Sequence, residues 1–289
     1  MRYFKYFFAL LIPITLFTGC IQVDTTVKLK KDGSGTIEEK VMMSSMVVQM
    51  MNQFMSSVPD SSGEKQEFKL FKEDELKDKA SEYGKGVKYV SGKEVSKDGW
   101  EGYTAVYSFK NINNLKMDTD PNKKVEMEEG EGETKEDYFT FKFTPGSVAE
   151  LVIDRPEVSM NEETESDESE GESNQNQQLN DNIVKMMDGM RIKMSLKPQG
   201  NIVSTNASYV DGSEVTLLDL DFSKLLKNKE SLDKLKKNPP KSLEEMKEIV
   251  KNIPGMKIEL QKPVSIKFDW KTAGIKWRIF YMCLFYRSL

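Results

Sequence analysis

The sequence predicts an α+β fold: an antiparallel, curved sheet packed against helices in a helix-grip-like order, with a disordered acidic insertion. Three observations carry this. Several segments alternate apolar and polar residues with the period of half-buried strands, among them Val23, Thr25, Val27, Leu29 and Tyr103, Ala105, Tyr107, Phe109. Helical spacing comes in separate blocks rather than between every pair of strands, which points away from an alternating α/β architecture. Finally, residues 157 to 172 hold eight carboxylates, and no Lys or Arg lies between Arg155 and Lys185. Low apolar content with one sign of charge cannot offset the entropy of ordering, so 158–180 reads as a disordered loop within the domain.

Taken in order, the first strand spans 23 to 29, Lys31-Asp32-Gly33-Ser34-Gly35 is turn chemistry, and alternation resumes from Thr36 to Met43 through Ile37 and Val41. Residues 44 to 54 read as a helix capped by Ser44 or Ser45, with Val47, Met50, Met51, Phe54 and Met55 at helical spacing. A second, charged helix is expected from Glu73 to Tyr83, stopping at Gly84. Strands follow over 87–95, 103–109, 138–143 and 148–153, with turns at Lys97-Asp98-Gly99 and Pro145-Gly146. Beyond the acidic insertion come strands over 191–196, 201–209 and 215–220, then a short helix capped by Asp221. Ser242-Leu243-Glu244-Glu245 is a capping box for a helix to about Lys251. Pro254-Gly255 ends it, and 256–260 with 264–268 are expected to close the fold as a pair of strands.

The 289 residues are 38% hydrophobic and 31% charged, a balance suited to one or two soluble domains. Arg2 and Lys5 make a cationic start, Tyr6 to Phe17 is apolar apart from Pro13 and Thr15, and small Gly19 precedes Cys20. This layout is that of an export signal. The run is too short for a membrane span, which needs about 20 apolar residues. Leu16-Phe17-Thr18-Gly19-Cys20 resembles the lipobox of bacterial lipoproteins, with Phe17 where leucine is usual. The resemblance implies cleavage between Gly19 and Cys20 and lipidation of Cys20 by a diacylglyceryl group and further fatty acid. The protein is then expected outside the cytoplasm, lipid-anchored to the bacterial cell membrane or outer membrane. Loss of residues 1–19 removes Arg2 and Lys5, taking the formal charge from -5 to -7. An acidic mature chain is a poor partner for nucleic acid. Cys283 is the other cysteine, so with Cys20 lipidated no internal disulfide is available and a packed core must hold the fold.

A second resemblance rests on the Asp32-Gly33-Ser34-Gly35 turn, on the run Leu196-Lys197-Pro198-Gln199-Gly200-Asn201-Ile202-Val203-Ser204-Thr205-Asn206, and on Asp211-Gly212-Ser213-Glu214-Val215-Thr216. These are similar to the LppM-type lipoprotein domain, with Gln199 inserted between Pro198 and Gly200 and Leu217 where a tryptophan often stands. The resemblance implies an exported α+β domain near the membrane, in contact with lipid or envelope, and supplies no catalytic residues.

Without histidine, Ser/His/Asp and Cys/His nucleophilic sites and histidine metal centres are ruled out. Paired glutamates could in principle cleave sugars, but the carboxylates cluster in loops where nothing would push two pKa values apart. Asp118-Thr119-Asp120-Pro121-Asn122 with Glu129 resembles a calcium loop, yet Lys123 stands where glycine is needed, so a solvated acidic loop is the better reading. Met42, Met43, Met46, Met50, Met51 and Met55, and Met186, Met190 and Met194, offer thioethers to Cu(I), but they read better as flexible core filler. No metal, cofactor or catalytic residue is therefore expected.

The segment 224 to 251 holds nine lysines against five acids, which suits an anionic membrane face or a solvated helix surface. In the tail 270–289, Trp277, Phe280, Tyr281, Leu284 and Phe285 form an aromatic stripe between flanking arginines. It suits an interfacial helix, with a packed strand or part of a longer membrane segment as alternatives. The expected organisation is a signal peptide over 1–19, one exported domain over 20–269 and this tail. The expected function is that of a non-catalytic binding module for lipid or an envelope component. The alternative is a structural or protein-interaction lipoprotein: the first requires a closed apolar cavity, the second a filled core and an exposed apolar patch.

Overall fold

The computed structural model describes residues 21–57, 68–118, 138–155, 189–228 and 242–269. Gly19, Cys20, the acidic insertion 158–180, the loop at 59–65 and the tail 270–289 lie outside them, as do Met186 and the calcium-like run beyond Asp118.

The first hairpin joins β1 (Ile21–Leu29) to β2 (Gly35–Ser44) antiparallel, from Ile21 opposite Met43 to Leu29 opposite Gly35. Its alternation is complete: Ile21, Val23, Thr25, Val27 and Leu29 are all buried, and Asp24 and Lys28 exposed. The turn is closed by Lys30 N–H donating to Ser34 O at 2.7 Å, and Asp32 accepts from the Ser34 hydroxyl at 2.7 Å. Helix α1 (Ser45–Ser57) follows directly, and α2 (Glu73–Lys79) comes next, acidic in its first turn and basic in its last, as the helix dipole favours. The chain after α2 turns rather than continuing as helix to Tyr83, and Gly84 takes φ +121° where a Cβ would lie 2.1 Å from Asn114 O.

Strands β3 (Lys88–Lys97) and β4 (Trp100–Phe109) are joined by Asp98 and Gly99, both at positive φ, the requirement of a tight hairpin turn. A 3-10 turn at Ile112–Asn114 leads to the two-residue β5 (Met117–Asp118), neither of which carries enough periodicity to be anticipated. The remaining strands are β6 (Tyr138–Thr144), β7 (Val148–Asp154), β8 (Arg191–Pro198), β9 (Asn201–Thr205), β10 (Val210–Asp211), β11 (Glu214–Asp221), β12 (Met256–Ile258) and β13 (Val264–Asp269). Between β11 and β12 lie α3 (Phe222–Lys227), capped by Asp221, and α4 (Leu243–Asn252), capped by Ser242 accepting from Glu245 N–H at 3.1 Å.

These strands form two sheets rather than one. The larger runs β10-β11-β8-β1-β2-β4-β3, with β12 on β11; the smaller runs β5-β6-β7-β13-β9. Pairing is antiparallel except that β1 and β8 run parallel, with Val23 opposite Ile192 and Val27 opposite Leu196. The expected closing pair is separated: β12 joins the first sheet and β13 sits inside the second, between β7 and β9. The Pro198-Gln199-Gly200 segment is where the chain leaves one sheet for the other, anchored by Gln199 N–H donating to Leu29 O at 2.7 Å. Neither sheet closes on itself. One apolar cluster joins them: Val27, Leu29, Ile37, Phe109 and Leu196 of the first sheet belong to the same buried group as Phe141, Leu151, Ile266 and Phe268 of the second. The centre of the molecule is filled by side chains of two sheets, not by a long helix gripped by one.

Candidate functional site

Two surfaces stand out once the core is accounted for. The first begins with a charge where a strand needs an apolar residue. On β2, Ile37, Glu39, Val41 and Met43 point inward together, and the Glu39 side chain is fully buried. Its neighbours are built to receive it. Tyr103 on β4 donates to one carboxylate oxygen at 2.7 Å, Tyr83 from the turn after α2 donates to the other, and Lys79 at the end of α2 pairs with it at 2.9 Å. Three donors thus tie β2, β4 and α2 to one carboxylate, as a buried charge requires. Burial, reinforced by the Glu39 charge and its hydrogen bonds, pushes the phenols of Tyr83 and Tyr103 far above the usual tyrosine range. Burial and the same charge raise Tyr107, whose ring lies 5.0 Å from Tyr83 and 6.0 Å from Tyr89. The Tyr107 hydroxyl has no hydrogen-bond partner among the described residues.

Above this cluster opens a cavity of about 1030 Å³, lined by Lys79, Tyr83, Tyr103, Lys85, Lys116 and Tyr138 among others. Lys116 stands 5.3 Å from the centroid of the Tyr138 ring, a cation-π contact. A smaller cavity of about 470 Å³ lies at the sheet crossover between Lys28, Lys30, Lys197 and Gly200. Both open to solvent. The cluster thus presents two phenols held protonated and a carboxylate that accepts from three donors. Among the described residues no three His, Cys, Asp or Glu side chains converge as a metal site. Asp118 ends β5.

The second surface is α1. None of its thirteen residues is charged. It rests on the first sheet through Val48, which is buried, with Val47 and Met51 partly so, and its first residue is held by Ser45 N–H donating to Gly99 O at 2.9 Å. The opposite side exposes Met46, Met50 and Phe54, the last two 55% and 68% accessible. The methionines therefore divide. Met42, Met43 and Met194 are buried filler as expected, whereas Met46 and Met50 are not core residues, because the helix turns them away from the sheet. Helical spacing in the sequence identified the stripe, but spacing cannot say which stripe of an apolar helix meets the core. Glu39 was readable too, as the one carboxylate at an apolar position of β2.

No family model and no curated protein sequence matches the chain. Among solved structures it is similar to the folded domain of LppM from Mycobacterium tuberculosis, determined by NMR. The likeness covers 89% of this chain and 93% of that one, at 10% identity and a TM-score of 0.32. At this level it does not establish a shared fold or function. The motif residues that resemble that family fall at the β1–β2 turn, at the sheet crossover and at the turn between β10 and β11. No described helix is long and apolar enough to cross a membrane.

Proposed function

We propose that the chain is an exported envelope lipoprotein, cleaved after Gly19 and held to the membrane by acyl groups on Cys20, that acts without catalysis as an interaction module. The observation that supports it best is the filled core: among the described residues the two sheets meet over one continuous apolar cluster. A carrier of acyl chains needs an enclosed apolar chamber, and the cavities beside Glu39 and at the crossover open to solvent, the first edged by lysine, glutamate and tyrosine and the second by lysine. Native mass spectrometry of residues 21–269 purified from a bacterial host tests this. An apo mass, with no uptake of a fluorescent fatty acid, is expected; a copurified lipid of defined mass would sink the interaction-module reading and restore the lipid carrier. The tether is tested separately by the mass of the full-length protein from membranes, which should show a chain beginning at an acylated Cys20.

A second reading attaches to the cavity beside Glu39. Its size and its Lys85, Lys116 and Tyr138 wall suit a polar envelope component, such as a glycan, better than a hydrocarbon chain. Titration with soluble envelope glycan fragments should shift the NMR signals of Lys116 and Tyr138; unchanged spectra at saturating glycan would remove this reading.

A further inference from the structure

The register of the first sheet places several features at one end of the molecule. Ile21, the first residue of β1, lies opposite Met43, and β2 ends one residue later at Ser44, where α1 begins. Trp100, the first residue of β4, pairs with Ser44, so the Asp98-Gly99 turn lies at this end as well. Arg191 opens β8 opposite Gln22 and pairs with Asp221, from which α3 departs. Asp221 N–H in turn donates to Gly255 O at 2.7 Å, bringing the turn after α4 to the same place. The other end of β1, the turn at Lys31, is about 30 Å away at the rise of an extended strand.

We infer that α1 lies in the surface of the bilayer that carries the anchor, with Met46, Met50 and Phe54 inserted among the lipids, so that the lipoprotein stands with this end of its first sheet against the membrane. This rests on the reading of Cys20 as the lipidated residue. Cys20 directly precedes Ile21, so an acyl chain there draws the Ile21 end of the sheet to the bilayer. A water-facing helix normally carries charge on its outer side, and α1 carries none: its exposed residues are Met46, Gln49, Met50, Gln53, Phe54 and Ser56. Burying apolar side chains to the depth of the headgroup boundary is what such a face is suited to. At the same end Lys227 of α3 is exposed, beside Lys224, which pairs with Asp221 at 2.9 Å. The acyl chains supply affinity, and α1 sets orientation.

The test uses the full-length lipoprotein, carrying Cys283→Ser, reconstituted into vesicles of phosphatidylglycerol and phosphatidylcholine. An NBD label is placed through Met50→Cys in one sample and through Lys31→Cys in another, and phosphatidylcholine bearing a nitroxide on its acyl chain is the quencher. Quenching at residue 50 should exceed that at residue 31 by about threefold or more, as insertion to the headgroup boundary requires. Adding Met46→Gln and Phe54→Gln should bring residue 50 down toward the level of residue 31 while the protein stays vesicle-bound. Equal quenching at the two positions in vesicle-bound protein overturns the docking and leaves the tether standing, including the case in which a protein partner covers α1. Protein that does not float with vesicles, or lacks an acylated Cys20 by mass, overturns the tether and the docking with it.

Discussion

Glu38 and Glu39 are adjacent in the chain, and the pleat of β2 gives them opposite fates. Glu38 points outward and meets Lys28 on the surface, while Glu39 is enclosed with Lys79, Tyr83 and Tyr103. Glu39→Ala should destabilise the protein by about 3 kcal/mol, because two buried phenols lose their acceptor and cannot turn to water. Glu38→Ala should cost about 0.5 kcal/mol or less, the scale of an exposed pair. Urea denaturation of the two variants checks the contrast, and equal effects would mean that the cluster does not clamp α2 to the sheet. The phenols add a pH dependence. Tyr83, Tyr103 and Tyr107 are all raised above the ordinary value of 10, so above pH 10 the unfolded chain releases protons that the folded chain keeps. Stability is therefore full below pH 10 and falls as pH rises beyond it, by about 1.4 kcal/mol per pH unit for each such phenol. Tyr103→Phe should flatten that decline by one proton's worth, measured as the urea midpoint between pH 9 and 11. A decline of unchanged steepness would show that Tyr103 ionises freely in the folded protein.

Elements were legible where their partners are near in sequence. The hairpins β1–β2 and β3–β4, the caps of α3 and α4 and the end of α4 at Pro254-Gly255 follow from local turn and capping chemistry, and the structure moves their bounds by a few residues. What local pattern could not supply is how closely strands approach. Gly102 in β4 stands opposite Met42, and a Cβ there would lie 2.0 Å from Val41 O and 2.9 Å from Met42 Cα. Both atoms belong to the backbone of β2, so neither can yield without breaking the ladder that carries Glu39. Gly102→Ala is expected to cost about 3 kcal/mol, in the range of a mutation that forces overpacking against fixed atoms. The thermal midpoint and the urea midpoint should fall together; a variant as stable as the parent would show that β2 and β4 can separate locally at this point. Tyr107 shows the complementary limit: its alternation predicted an inward ring, but its lack of a hydroxyl partner is a property of three-dimensional surroundings.

At the scale of the whole molecule, the pattern predicts an antiparallel α+β fold and the chain builds one, but as two sheets rather than a single curved one. The reason is that strand order is a non-local property. Residues 256–260 and 264–268 look alike as short alternating segments separated by a proline-containing turn, yet β12 adds to the edge of one sheet while β13 is central in the other. The parallel partnership of β1 with β8 likewise spans the acidic insertion and leaves no local mark. This topology makes the last described strand essential to a core that, among the described residues, begins at residue 21. Val264, Ile266 and Phe268 are nearly inaccessible, and each contributes about 2 to 3 kcal/mol of apolar burial. Without β13, β7 and β9 lose their shared neighbour, and the apolar cluster that joins the two sheets loses Val264, Ile266 and Phe268. A chain stopped after Asp269 should therefore retain a cooperative urea transition, whereas one stopped after Leu260 should lose it and bind ANS. If the shorter chain still unfolded in a single transition at the same midpoint, the sheets would have to be independent units, and the filled core could no longer support the reading of this protein as an interaction module.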